Sequence, residues 1–355
     1  MNTENTQESP ILFKIRTDNR NNKLGKIILN RPQALNAMSA EMFSEMQKYL
    51  TLWEKDFAIK AVIVRSTSPK AFCAGGDIRG VYDNQQATSD EKIQYFQREY
   101  AIDQQIFHFQ KYYFALMNGI TMGGGVGISL NGKYRIAGTD LRFAMPETGI
   151  GFFPDVGATY HLSRLPNHIG TYLALTGSSI DAGQAKSLKL VDYIVQNDQF
   201  DELEQVIVDT LHDKNALHTA LQSFHVNATG EDLPIEKINR CFSKKHAEEI
   251  VQALKEEGSA WASETLKKIS RVSPLSVKIA LAQIRYAKLL SFDAVIAMDL
   301  HICKRMLEQS DFIEGIRALI IDKDKNPTWQ PDTLAAVSST QVLSYFPENI
   351  RRYTK

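Results

Sequence analysis

The 355-residue sequence is poor in cysteine, with only Cys73, Cys241 and Cys303. An odd number of widely spaced cysteines argues against a disulfide framework and for reduced thiols in a reducing compartment. Net charge is also lacking, since 41 Lys plus Arg balance 41 Asp plus Glu. With no basic cluster beyond short runs, a nucleic-acid partner is not expected. No stretch approaches 18 uninterrupted apolar residues, so no membrane-spanning helix is expected. The opening "MNTENTQESP" carries Glu4 and Glu8, no early arginine and no apolar run. It reads as neither a secretory signal nor a typical transit peptide. Together these absences lead to the expectation of a soluble cytoplasmic protein.

Several catalytic signatures are missing too. No G-x-S-x-G elbow occurs, which argues against a serine hydrolase of that type. The eight histidines are scattered, without a metal-ligand spacing such as H-E-x-x-H. "GISLNGKY" (Gly127 to Tyr134) has the spacing of a phosphate-binding loop. Yet Tyr134 stands where Ser or Thr must bind magnesium, and Gly127 is expected inside a helix rather than before one.

What is present is a first half that alternates strand and helix signals. "GKIILN", "KAVIVRS", "YFALMNG", "KYRIAG" and "LRFAM" read as strands. "SAEMFSEMQKYLTLWEKD" reads as an amphipathic helix, with Ser39 as N-cap and Met42, Met46 and Leu50 on one face. Such alternation predicts an α/β domain. From about Phe200 strand signals vanish, and helix-like segments take over: "FDELEQVIVDTLHDK", "KKHAEEIVQALKEEG", "WASETLKKIS", "PLSVKIALAQIRYAKLL", "FDAVIAMDLHICKRMLEQ" and "DFIEGIRALIID". "HVNATGEDLP" (His225 to Pro234) reads as a loop among them. The expected organisation is an α/β core over residues 1–210 and a mostly helical region over 211–355.

Two glycine loops come after strands: "KAFCAGGDIRG" and "NGITMGGGVGISL". Glycine lets backbone N–H groups approach a ligand closely. A helix starting directly after such a loop directs unpaired N–H groups at that ligand. Gly76 and Gly124 are the candidate donors, and two donors converging on one oxygen make an oxyanion hole. The competing account is a pair of tight turns without a ligand.

"FAMPETGIGFFPDVG" (Phe143 to Gly157) places Glu147 and Asp155, each directly after a proline, in an otherwise apolar, glycine-rich stretch. Pro146, Gly149, Gly151, Pro154 and Gly157 exclude a regular helix across it. An acid among Ile150, Phe152 and Phe153 loses hydration, which raises its pKa unless a partner compensates. The two acids cap helices, or pair with arginines such as Arg142 or Arg164, or they are catalytic. The upstream loops favour the second reading.

These residues resemble the crotonase (enoyl-CoA hydratase/isomerase) superfamily, and within it the hydrolase branch that acts on 3-hydroxyisobutyryl-CoA. "ILNRPQALNAMS", "KAFCAGGDIRGVY", "NGITMGGGVGIS", "FAMPETGIGFFPDVGATYHLSRL" and "EGIRALIIDKDKNPTWQP" carry the likeness. It covers nearly the whole chain and is weakest over about residues 195–260. The resemblance implies a core of ββα units wound as a superhelix, with a helical C-terminal part. It implies a short 3-hydroxyacyl-CoA substrate whose thioester oxygen lies between the N–H groups of Gly76 and Gly124. The CoA arm would pass Gln33 to Asn36, with Asn36, Lys70, Phe72 and Asp77 as contacts. Lys323 or Lys325 would reach a phosphate, or else form a solvated charge cluster. Glu99 would lie near the substrate, or else be a surface helix glutamate. Of the two glutamates used by hydratases of the superfamily, one matches Glu147. The other position is occupied here by Gly127. The resemblance therefore implies hydrolysis, with Glu147 as nucleophile or general base and Asp155 binding the 3-hydroxyl. The alternatives are an enoyl-CoA hydratase, an enoyl-CoA isomerase and a non-catalytic acyl-CoA binder. No metal and no separate cofactor are implied, since coenzyme A arrives with the substrate. The helical C-terminal region either supports a homo-oligomer or folds back on its own core.

Overall fold

The computed structural model describes residues 9–83, 88–228, 230 and 232–352. The opening segment that carries Glu4 and Glu8 lies outside these residues. The chain divides into two compact units. The second comprises Ile78–Tyr100, Ala144–Ser179 and the chain from Asp232 on, and the first comprises the remainder.

The first unit carries the sheets. β1 (Ile11–Thr17) and β2 (Lys23–Leu29) form an antiparallel hairpin. Next come β3 (Ile59–Ser66), β4 (Ala71–Cys73), β5 (Tyr112–Met117), β6 (Ile120–Met122), β7 (Tyr134–Gly138), β8 (Arg142–Ala144) and β9 (Tyr193–Val195). The larger sheet has the order β1-β2-β3-β5-β7-β9 and is parallel from β2 onward. A parallel strand is covered on both faces, so it reads as a continuous apolar run. β3 and β5 are of this kind, with Ala61 to Val64 and Tyr113 to Met117 buried. One face of this sheet packs its Leu24, Ile63, Leu116 and Ile136 against Leu203, Ile207, Leu217 and Leu221. The latter four come from helices Phe200–Thr210 and Lys214–Ser223.

The smaller sheet, β4-β6-β8, sets the geometry of the glycine loops. β4 and β6 are parallel neighbours, so their C-terminal ends emerge side by side. Helix Gly124–Leu130 begins directly after β6 and is buried along its whole length. A Cβ at Gly125 would sit 2.3 Å from the Cys73 carbonyl oxygen, so only glycine allows this helix to lie flush against β4.

The second unit is helical among its described residues, apart from the end of β8. Helices Pro274–Ala287 and Phe292–Met306 lie within it, as do Ala158–Leu162 and Ile169–Thr176. Its core includes a ring cluster of Phe96, Phe152 and Phe312, with Phe152 and Phe312 centroids 4.4 Å apart. Gly151 has φ +69°, and a Cβ there would meet the Asp311 carbonyl oxygen at 2.3 Å. The turn that opens at Glu147 is thereby locked against helix Ser310–Ile316.

Most expected helices are present, with differences that have local causes. Ser39 caps helix Ala40–Lys55 by accepting the Met42 N–H. "FDELEQVIVDTLHDK" breaks after Thr210, because the Asp213 carboxylate caps a new helix through the Asn215 and Ala216 N–H groups. "DFIEGIRALIID" starts as an α-helix and widens into a π-turn over Arg317–Ile321. Helices Ser89–His108 and Ile235–Phe242 and strands β1 and β9 had no expectation attached to them. The described residues between His225 and Pro234 form no helix or strand, as expected.

A glycine pair tests the packing argument. Gly125→Ala should destabilise the protein by about 1–3 kcal/mol through overpacking. Gly80→Ala, with nothing within 4 Å of the added methyl, should be neutral or stabilising. Denaturation midpoints of the two variants check both.

Candidate active site

Five carboxylic acids of the second unit are buried: Glu99 is 3% exposed, Glu147 7%, Asp155 5%, Asp299 0% and Asp311 1%, the last bonded to the Ser273 hydroxyl and the Gln330 N–H. Glu99 lies on helix Ser89–His108, and Asp299 on helix Phe292–Met306. Glu147 opens the 3-10 turn Glu147–Ile150, and Asp155 lies between Pro154 and helix Ala158–Leu162. The Phe152 N–H donates to the Glu147 carbonyl, and Ala158 N–H to the Asp155 carbonyl. These bonds fold the apolar stretch into two successive turns, each opening with an acid.

No cation compensates Glu99, Glu147 or Asp155 among the described residues. The Tyr100 hydroxyl donates to Asp155 Oδ2 at 2.7 Å. Glu147 Oε2 is buried without a hydrogen-bond partner. Arg164 does not pair with either acid. Its guanidinium donates to the carbonyls of Tyr160, Ala287 and Leu290 and lies over the Tyr160 ring. Neither acid joins a salt bridge, and the cation-pairing account of Glu147 and Asp155 does not hold.

The cost of this arrangement appears in the proton affinities. Burial pushes the Glu147 carboxyl well above the usual range, and the nearby Asp155 adds to the rise. Burial likewise raises Glu99, helped by Asp155 and Glu147. Burial raises Asp155 to about 7, while the Tyr100 hydrogen bond pulls it down. Three acids that share one apolar site cannot all ionise near neutrality, so they titrate as a set. Among the described residues no group of His, Cys, Asp or Glu is arranged to hold a metal ion.

The glycine loops lie in the first unit. A parallel bridge joins Met38 and Gly76: Met38 N–H donates to the Gly75 carbonyl, and Asp77 N–H to the Met38 carbonyl. Met38 thus bonds the residues flanking Gly76, which turns the Gly76 N–H to the opposite side. Gly124 is the first residue of its helix, where an N–H has no intrahelical acceptor. A Cβ built on Gly75 would lie 3.9 Å from the Gly124 nitrogen. The two loops are therefore neighbours within this unit.

The other sequence candidates have varied surroundings. Asn36 is fully buried, with its backbone in the left-handed region at φ 57°. Its Oδ1 accepts from Arg31 N–H, and its Nδ2 donates to Ser66 Oγ and the Phe72 carbonyl. That side chain is consumed in tying the turn to β4. Phe72 is a core residue, Lys70 is exposed, and Asp77 pairs with Arg31 at 2.8 Å. Gln33, Lys323 and Lys325 are exposed. Glu99 is buried, so it is not a surface glutamate.

Sequence reasoning did not single out Tyr100, Gln283 and Asp299. A signal existed. In helix Phe292–Met306 the buried residues Phe292, Val295, Ile296, Ile302, Cys303 and Met306 mark an apolar stripe, and Asp299 falls on it. A carboxylate at a core-facing helical position needs a reason.

The family model described as enoyl-CoA hydratase/isomerase matches residues 24–346. A curated relative from Danio rerio, named 3-hydroxyisobutyryl-CoA hydrolase, mitochondrial, is 40% identical over 332 residues. That match covers 91% of this chain and 87% of the relative. A carnitinyl-CoA dehydratase structure from Mycobacterium thermoresistibile is 31% identical with a TM-score of 0.86, covering 94% of this chain and 96% of that one. An enoyl-CoA hydratase structure from Rhodobacter sphaeroides 2.4.1 is 32% identical with a TM-score of 0.84, covering 96% and 98%. The expectation of a cytoplasmic protein is corrected here, because the curated relatives are named mitochondrial.

The raised acids make stability pH-dependent in a defined direction. Their folded pKa values exceed the unfolded ones, so the native chain holds more protons over the interval between them. Stability then falls as pH rises through that interval, up to about 7 for Asp155. Asp155→Asn and Glu147→Gln remove the burden. Each should melt about 2 °C or more above the parent at pH 8, with the gap closing near pH 4.5. Thermal melts across pH check this, and a gap that does not vary with pH would refute it.

Proposed function

The chain belongs to the enoyl-CoA hydratase/isomerase family, and within it we propose that it hydrolyses short 3-hydroxyacyl-CoA thioesters, 3-hydroxyisobutyryl-CoA first among them. The observation that carries this reading is the set of buried acids without a cation, in which one oxygen of Glu147 has no partner. A carboxyl group held dry and unpaired is poised to act on a substrate atom. The solved relatives named hydratase and dehydratase favour a second reading, addition or removal of water across a carbon–carbon double bond. That chemistry needs two acid/base groups on the substrate. The position matching the second of these is Gly127, in a buried helix that contains no carboxylate. Hydrolysis is the better fit.

In the proposed reaction the thioester oxygen accepts hydrogen bonds from the Gly76 and Gly124 N–H groups. Glu147 acts at the carbonyl carbon by one of two routes. As a base, it takes a proton from water while the water oxygen bonds to carbon. The carbonyl electron pair moves to oxygen and is stabilised by the two amides. The intermediate collapses, the carbon–sulfur bond breaks, and the CoA thiolate takes up the proton. As a nucleophile, a Glu147 oxygen bonds to carbon, the thiolate leaves, and water then cleaves the mixed anhydride. Either route needs Glu147 ionised. Asp155, titrating near 7 and steadied by Tyr100, is the neighbouring proton acceptor that makes this accessible. Asp155 and Glu99 also face the task of recognising the 3-hydroxyl. A buried acceptor rejects analogues lacking that hydroxyl, because it would be left unpaired. Along the CoA arm, Lys70 offers an exposed charge for a phosphate. Asn36 and Phe72 contribute through main-chain atoms, since both side chains are internal. Asp77 keeps Arg31 in place beside the same turn.

Thiol release from a panel of acyl-CoAs tests the activity. Turnover should be fastest with the short 3-hydroxyacyl thioesters, with no conjugated enoyl product absorbing. Glu147→Gln should lose about 10³-fold in kcat yet still bind acyl-CoA. Near-normal turnover in that variant would overturn the assignment. For the parent, kcat/KM should rise as pH passes through about 7. A single turnover in ¹⁸O water separates the routes: label in Glu147 marks the anhydride, and label in the first product marks the base.

A further inference from the structure

Asp155 lies on a turn that needs support from elsewhere. Val156, the next residue, has φ +53°. A β-branched residue in the left-handed region is strained, and it persists only where neighbours over-determine it. Two buried polar side chains grip the turn at both ends. Gln283 Nε2 donates to the Pro154 carbonyl at 2.9 Å and to Asp299 Oδ1 at 2.7 Å. Asp299 Oδ2 accepts from the Gly157 N–H at 3.0 Å. Gln283 and Asp299 are both completely buried. Neither residue needs to be polar for packing alone, since apolar residues of similar volume usually serve a core at least as well. Their polarity also has a cost. Gln283 Oε1 is left without a partner, and Asp299 is a further buried acid whose proton affinity is raised by burial and by Asp155. What these two side chains accomplish together is to fix the carbonyl before Asp155 and the N–H two residues after it.

We propose that Asp299 and Gln283 are positioning residues, which hold both ends of the Pro154–Gly157 turn and so aim the Asp155 carboxyl at the 3-hydroxyl of the substrate. This rests on the hydrolase reading above. Helix Pro274–Ala287 supplies the amide and helix Phe292–Met306 the acid, so selectivity for the hydroxyl is governed by residues that never touch it. Gln283 must keep its amide orientation, because only Nε2 can serve two acceptors at once. Asp299→Asn would still accept from Gly157 N–H but would present its own NH₂ to that of Gln283. The Gln283 amide would then have to turn and release Pro154.

The experiment compares kcat/KM for 3-hydroxyisobutyryl-CoA with that for isobutyryl-CoA, which lacks only the hydroxyl. The parent should prefer the hydroxylated substrate, and Asp155→Asn sets the scale for losing that preference. Gln283→Met and Asp299→Leu should lower the ratio at least tenfold, mainly through the hydroxylated substrate. Asp299→Asn should fall between them and the parent. Hydrogen exchange should speed up at the Val156 and Gly157 amides of Gln283→Met. If the variants keep the parental ratio, or lose both activities by one factor, the positioning role is wrong. If the parent releases thiol from neither substrate, the hydrolase reading fails. The exchange rates then still report whether the grip on the turn exists.

Discussion

The second unit is organised around the exclusion of water from carboxyl groups that have no cation to face. That choice is specific to them. The first unit also buries an acid, Glu204, but surrounds it with Lys26, Arg16 and Arg65. Glu204 is the ordinary solution, in which a buried charge is matched and inert. Glu99, Glu147 and Asp155 are the opposite case: burial raises their proton affinity, and at Glu99 and Glu147 the nearby Asp155 adds to the rise. The surrounding architecture meets that requirement. The rings of Phe96, Phe152 and Phe312 pack together in the same unit. Gly151 lets the Glu147 turn press against the Asp311 backbone. Tyr100 gives Asp155 a hydrogen bond from a neutral donor.

Much of this was legible in the sequence because it depends on local chemistry. Proline and glycine around Glu147 and Asp155 forbade a helix, and the structure has turns there. The glycine loops after β4 and β6 were readable because strand, turn and helix signals came in order. Asp299 escaped because its partners lie far along the chain, and Glu99 was singled out only through the family resemblance. Glu99 had a surface reading open to it, since its helix is amphipathic only weakly and its charged neighbours mask the stripe through Phe96 and Tyr100. Asp299 was passed over inside a long helical pattern that was correctly recognised. Periodicity identifies a helix readily, but it does not reveal that one polar residue on the apolar stripe has a distant turn to hold. The Asp213 break escaped for a simpler reason: the apolar spacing continues across it, and only the cap reveals the end.

Relatives of this chain, solved and curated, bear the names of different reactions. A helix start that offers main-chain N–H groups stabilises an oxyanion whichever reaction the acyl group then undergoes. The outcome depends on which acids stand near the acyl end. Gly127 lies in a buried helix that holds no carboxylate, and Asp155 precedes Val156, whose φ is +53°. A shared scaffold does not by itself fix the reaction.

The dispersal of these acids along the chain has a consequence for biosynthesis. Glu99, Glu147 and Asp155 are translated long before Asp299, and the unit that buries them is assembled from three separated stretches. Until the last stretch leaves the ribosome, those side chains stay hydrated and ionised, and the nascent polypeptide is spared their repulsion. Because burial raises their proton affinity, completing this half of the molecule is linked to uptake of protons from solvent.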